Sequence, residues 1–173
     1  MDIKKTLNKG NNNFKDSVNN NSSLKEKNRS LYEDGQHPYA LIITCSDSRV
    51  VPEYIFDKWL GELFVVRTAG NVINEGELAT IEYAIEHLKI KYIMVLGHTH
   101  CGAVHAAIHH EKGKYLDPIL DNIEEAIQEE KDEYQASWLN AKKQVRYIKE
   151  KFPDFDGEIV SAIYNIETNV VEY

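Results

Sequence analysis

The chain has 173 residues, 42% of them hydrophobic and 28% charged, with a formal net charge of −8 at pH 7. That length suits one domain with a substantial core, and the acidic balance argues against a nucleic-acid partner, because phosphate contacts need a basic face. No apolar stretch nears the roughly 20 residues of a membrane span and the first residues lack a signal-peptide apolar region, so no membrane partner and a reducing, cytoplasmic setting are expected.

Residues 1–34 read as an N-terminal arm, helical or partly disordered. The first 23 are rich in Asn, Lys and Ser, with Asn11-Asn12-Asn13 and Asn19-Asn20-Asn21. Such a segment buries too little apolar surface to offset its ordering entropy. It is either a loose arm or a helix that wraps another subunit, with Phe14, Val18 and Leu24 as anchors.

Residues 35–173 read as one α/β domain. Residues 39–44 and 61–67 form apolar runs expected as buried strands. Between them, 52–59 fits a short helix with Pro52 near its first turn. A turn at 69–71 leads to an amphipathic helix over 76–88, with Leu78, Ile81, Ala84, Ile85 and Leu88 at helical spacing. A third strand is expected at 91–97 and a helix at 101–110. The charged stretch 117–151 reads as helical, its apolar positions being Ile119, Ile123, Ile127, Trp138, Val145 and Ile148. Residues 159–164 and 168–171 suit a terminal strand or a hairpin. Strands alternating with helices imply a mostly parallel sheet flanked by helices, with active groups beyond the carboxyl ends of the strands.

The only two cysteines stand at such ends. Cys45 closes the first strand and opens Cys45-Ser46-Asp47-Ser48-Arg49; Cys101 follows the third within Gly97-His98-Thr99-His100-Cys101-Gly102. In a reducing setting two cysteines suit ligands or free thiols better than a disulfide. Two thiolates and an imidazole are what a tetrahedral zinc site requires, so Cys45, His98 and Cys101 are the candidate ligands. Gly97 and Gly102 are expected to permit a close backbone approach in the intervening turn.

Asp47 is the natural fourth participant. It either accepts a hydrogen bond from a water on the metal or binds the metal itself and closes the site. Arg49 can hold its carboxylate bidentately, which favours the first role. Singly, each residue has a plainer reading: a buried thiol, a polar turn histidine, a helix-capping aspartate, a surface ion pair. His105 and His109, spaced i, i+4, also suit an adventitious divalent metal, though surface solvation accounts for His109 and His110. His100 is expected to point away from the metal.

Cys45-Ser46-Asp47-Ser48-Arg49-Val50 with Pro52-Glu53, and Gly97-His98-x-x-Cys101-Gly102-Ala103, resemble the two signature motifs of the β-class carbonic anhydrases. The likeness extends through Phe64-Val65-Val66-Arg67-x-Ala69-Gly70-Asn71 and Ile81-Glu82-Tyr83-Ala84. It implies a late strand at the sheet edge, one zinc per subunit on Cys45, His98 and Cys101, and reversible hydration of carbon dioxide to bicarbonate and a proton. Hydroxide formed on the zinc would attack carbon dioxide, with Asp47 and Arg49 as the catalytic dyad. Gln36, Phe64, Tyr83 and Gly102 resemble residues lining the family's substrate pocket, partly across a dimer interface. A homodimer or higher homo-oligomer follows from the same resemblance.

Two thiolates cancel the ion's charge, so activity is expected to rise toward alkaline pH. Some members of the family carry an allosteric bicarbonate pocket built on a tryptophan three residues before the first zinc cysteine. Ile42 stands there, so no such pocket is expected, although Arg67 and Tyr164 resemble its other members. Thr68 departs from the family's usual asparagine. Two other readings remain: a related hydrolase acting on carbon disulfide or carbonyl sulfide, and a zinc-stabilised binding module closed by Asp47.

Overall fold

β1 (Ala40–Cys45) is buried along its whole length, as its unbroken apolar run requires of a strand covered on both faces. It lies inside a five-stranded sheet of order β2-β1-β3-β4-β5. β2 (Leu63–Thr68), β3 (Tyr92–His98) and β4 (Glu158–Asn165) run parallel with it; the late strand β5 (Val170–Glu172) pairs antiparallel with β4 at the edge. The structure, a computed structural model, describes residues 3–20 and 35–173. It divides into two units, Met1–His37 and Pro38–Tyr173.

In the first unit α1 spans Ile3–Asn20. The side chains of Phe14 and Val18, and all of Leu24, lie outside the described residues, so the expected anchors do too. In the second unit α2 (Pro52–Ile55) is shorter than the helix expected over 52–59. The backbone turns at Asp57, whose φ of 50° does not continue a right-handed helix. α3 (Glu75–Glu86) opens with the Asn74 amide donating to the Glu77 carboxylate at 2.9 Å, satisfying one orphan N–H of the first turn.

The helical stretch expected over 117–151 forms two helices, α5 (Asp117–Ile127) and α6 (Glu133–Lys151), after α4 (Gly102–Ile108). Gln128 breaks the run with φ 53° and ψ −115°. The Asp132 side chain then accepts from the Gln135 amide at 2.9 Å and starts the next helix.

Side chains alternate across the strands and build two layers. Leu41, Ile43, Ile93 and Val95 pack with Ile81 and Ala84 of α3 and with Ala141, Val145 and Ile148 of α6. On the other face Ile42, Met94, Leu96 and Ala162 pack with Val50 and with Ile55 of α2. A third cluster places Cys45 and Cys101 beside Val104 of α4 and Leu120 and Ile123 of α5. Burying each such Leu or Ile is worth about 1.5–3 kcal/mol relative to exposure. The core thus fixes the carboxyl ends of β1 and β3, where the candidate ligands stand.

Candidate metal centre

The chain leaves β1 for β2 on one side and returns to β3 on the other. Parallel sheets open a crevice beyond the strand ends at such a reversal. Cys45 ends β1, His98 ends β3, and Cys101 is the N-cap of α4. All three are buried, and their ligand atoms lie within 4.8 Å of one another. The two sulfurs are 4.0 Å apart. Sulfurs bound to one tetrahedral zinc at about 2.3 Å stand about 3.8 Å apart, so the pair needs little adjustment to hold it.

His98 supplies a further test of fit. Its Nδ1 donates to the Thr99 carbonyl at 2.8 Å, which leaves the lone pair on Nε2. That Nε2 is buried and has no hydrogen-bond partner. An unsatisfied buried nitrogen carries a desolvation cost, and a metal ion removes it. Donor chemistry, spacing and tautomer all fit zinc.

The thiols share their protons unequally. Hydrogen bonding from Cys101 holds the Cys45 thiol well below its ordinary value, against the opposing effect of burial. The same bond, reinforced by burial, pushes Cys101 up. One proton therefore leaves readily, and the second leaves when a cation balances the charge.

Backbone and amide groups support Cys45 from behind. The Gly70 amide donates to its Sγ at 3.3 Å. Gly70 has φ 62°, and a Cβ there would stand 2.8 Å from Ile123 Cδ1, so no other residue fits without displacement. The buried Asn140 amide donates to the Gly70 carbonyl at 2.8 Å. Gln144 fixes Asn140 by donating to its Oδ1 at 3.1 Å, and itself accepts from the Ile73 amide at 3.1 Å. Arg67 donates to the carbonyls of Cys45, at 3.2 Å, and Asp47, at 2.6 Å. Nothing in the local sequence around Arg67, Asn140 or Gln144 marks these roles.

Asp47 is locked by Arg49. Nε donates to Oδ1 at 2.9 Å, the terminal nitrogen to Oδ2 at 2.7 Å, and the Arg49 amide to Oδ1 at 2.9 Å. The guanidinium hydrogen bonds hold the carboxyl far below the usual carboxylate range, so Asp47 is an anion that only accepts. It stands outside the three-ligand group found among the described residues. It caps no helix, the N-cap of α2 being Val51. His100, with φ 55°, turns outward toward Glu167, and its carbonyl accepts from Arg49 at 3.2 Å.

The remaining candidates are more dispersed. Phe64 pairs with Leu41, four residues before Cys45, so it stands about 13 Å back along the sheet from the cluster. Its ring lies 6.2 Å from that of Tyr83, which is 45% exposed. Gln36 belongs to the N-terminal unit and is exposed. A Cβ at Gly102 would meet no protein atom within 4 Å, which leaves that backbone open to a group outside the chain, whereas at Gly97 a Cβ would stand 2.7 Å from Ile163 Cδ1. Ile42 is buried in the core, and Tyr164 donates to Asn169 at 2.8 Å. Thr68 donates to the Val72 carbonyl at 2.7 Å.

Residues 40–170 match the family model described as Carbonic anhydrase. Carbonic anhydrase 2 of Mycobacterium tuberculosis is 47% identical over 104 residues, which cover 60% of this chain and 50% of that protein. A carbonic anhydrase of Helicobacter pylori is 33% identical over 178 residues, covering 83% and 80%. The chain spans about half the length, or less, of the first curated relatives it matches. A tetrameric β-carbonic anhydrase of Sordaria macrospora superposes with a TM-score of 0.79 at 25% identity, over 98% of this chain and 95% of that one.

Proposed function

The chain belongs to the carbonic anhydrase family, and from that premise we propose that it is a β-class zinc enzyme interconverting carbon dioxide and water with bicarbonate and a proton. Cys45, His98 and Cys101 hold one zinc per subunit. The observation that carries this reading is the buried, partnerless His98 Nε2 beside two sulfurs 4.0 Å apart. A zinc ion held there would supply the Lewis acidity that makes water a nucleophile.

The chain's own groups do the rest. Asp47, kept anionic by Arg49, accepts a proton-side hydrogen bond from the attacking water and so turns an oxygen lone pair toward carbon dioxide. Arg49 also anchors to the His100 carbonyl, which fixes where that acceptor stands. The absence of Asp47 from the ligand group supports an exchangeable fourth position over a module closed by four protein ligands. The open space at Gly102 suits a small substrate.

Phe64 and Tyr83 supply an apolar wall, and Gln36 an amide that donates to a substrate oxygen. The distance of Phe64 from the chain's own cluster supports a wall that serves the site of a second subunit, in a homodimer or larger homo-oligomer. The tetrameric relative is in keeping with this. Two free cysteines held close together suit a reducing, cytoplasmic setting.

Stopped-flow hydration of carbon dioxide, run beside zinc analysis, tests the reading. One zinc per chain with hydration rising toward alkaline pH is expected; stoichiometric zinc without hydration at any pH would overturn the enzyme. Substituting Cys101→Ser should abolish stoichiometric zinc, and full retention would refute the ligand set.

A further inference from the structure

A second group of nitrogen donors lies apart from the Cys45, His98 and Cys101 centre. His105 is on α4, and His109 follows one turn later as the C-cap of that helix. Their rings lie 4.2 Å apart, centroid to centroid, with planes inclined by 32°. Both imidazoles are exposed, that of His105 to 51%.

Each ring is tied down by its inner nitrogen. His105 Nδ1 donates to Glu133 Oε1 at 2.7 Å, from the first residue of α6. His109 Nδ1 donates back to the His105 carbonyl at 2.8 Å. Carboxylate and carbonyl oxygens only accept, so both Nδ1 atoms carry hydrogen, and in the neutral rings both Nε2 atoms carry the lone pairs. Neither Nε2 has a hydrogen-bond partner among the described residues.

We propose that His105 and His109 form a second metal site, which takes a divalent transition-metal ion of borderline softness through their two Nε2 atoms. Glu133 is its positioning residue. The rings are oriented and their tautomers set before an ion arrives, so binding loses little side-chain freedom. A carboxylate on the far nitrogen of a ligating histidine raises its basicity and fixes its plane, and Glu133 stands in that relation to His105. Water completes the coordination shell. Imidazole pairs suit nickel, copper and zinc; calcium and magnesium, which prefer oxygen ligands, are refused. An ion there would clamp the end of α4 to the start of α6 through Glu133, at the opposite end of α4 from Cys101.

The site does not depend on the catalytic reading. Its test is calorimetric titration of the zinc-loaded protein with Ni(II), zinc content being measured in every variant. One Ni(II) per chain beyond the zinc is expected, with a Tm that rises to a plateau as Ni(II) is added. His109→Ala should abolish that equivalent, and Glu133→Gln should weaken it about 10–100-fold, while zinc content stays unchanged. His110→Ala is the control. Its side chain turns to Glu124 on α5, at 3.4 Å, and its loss should leave Ni(II) binding intact. No extra equivalent in the parent protein, or an equivalent that survives His109→Ala, overturns the site. Equal loss in His110→Ala and His109→Ala overturns the assignment to this pair.

Discussion

The candidate metal centre and the proposed apolar wall are built to different standards. Cys45, His98 and Cys101 are buried, converge within 4.8 Å, and are braced from β2, from the turn at Gly70 and from α6. Phe64 on β2 is partly buried against the core and Tyr83 on α3 is 45% exposed, with a ring contact between them and a stack of Tyr83 on His87 at 5.0 Å. A ligand set must be positioned to a few tenths of an ångström, so its precision has to be stored in one folded chain. A wall for a small apolar molecule needs only to exclude water. Another surface can complete it.

The largest effect that would sharpen this contrast comes from Arg49. In Arg49→Leu the carboxylate of Asp47 loses two of its three donors and is free to rotate toward Cys45. Hydration should fall by about 10²-fold or more while zinc stays stoichiometric. Zinc analysis beside initial rates reads both. An unchanged rate would show that the Asp47 orientation seen here does no catalytic work.

Asn140 tests whether the buried bracing serves the metal or only the fold. Asn140→Leu removes the donor to the Gly70 carbonyl, and leaving that buried group unpaired costs about 1–3 kcal/mol of stability. If the network also aims the Gly70 amide at Cys45, zinc affinity should drop about 10–100-fold in a chelator competition. Lost stability with unchanged zinc affinity would reduce the network to scaffolding.

These two tests fall on either side of what the sequence makes legible. The proposed ligands and dyad are local: Cys45, Asp47 and Arg49 share five residues, and His98 and Cys101 share one turn. Apolar runs also announce the four parallel strands, because buried parallel strands have no polar alternation to disguise them. Asn140 and Gln144 are another matter. They lie about 70 residues from the groups they serve, on a helix whose charged residues make two more polar ones look solvated. The division of 117–151 was hidden too, since Gln128 carries a left-handed backbone without a glycine or proline to mark it.

The smallest expected effect bears on the wall itself. Tyr83→Ala should retain zinc and fold, because the side chain is 45% exposed, and should lower hydration only several-fold. Its size alone does not say whose site the ring serves. Mixing does. A subunit carrying Cys101→Ser keeps its wall and lacks zinc; a subunit carrying Tyr83→Ala keeps zinc and lacks its wall. If the wall acts across the interface, a hybrid of the two pairs the intact zinc of one with the intact wall of the other, and its zinc-bearing site should turn over like the parent. If the wall acts within its own chain, every zinc-bearing site in the hybrid still lacks Tyr83, and the rate per zinc stays at the level of Tyr83→Ala alone. The 13 Å between Phe64 and the cluster, about four residues of strand, favours the first outcome.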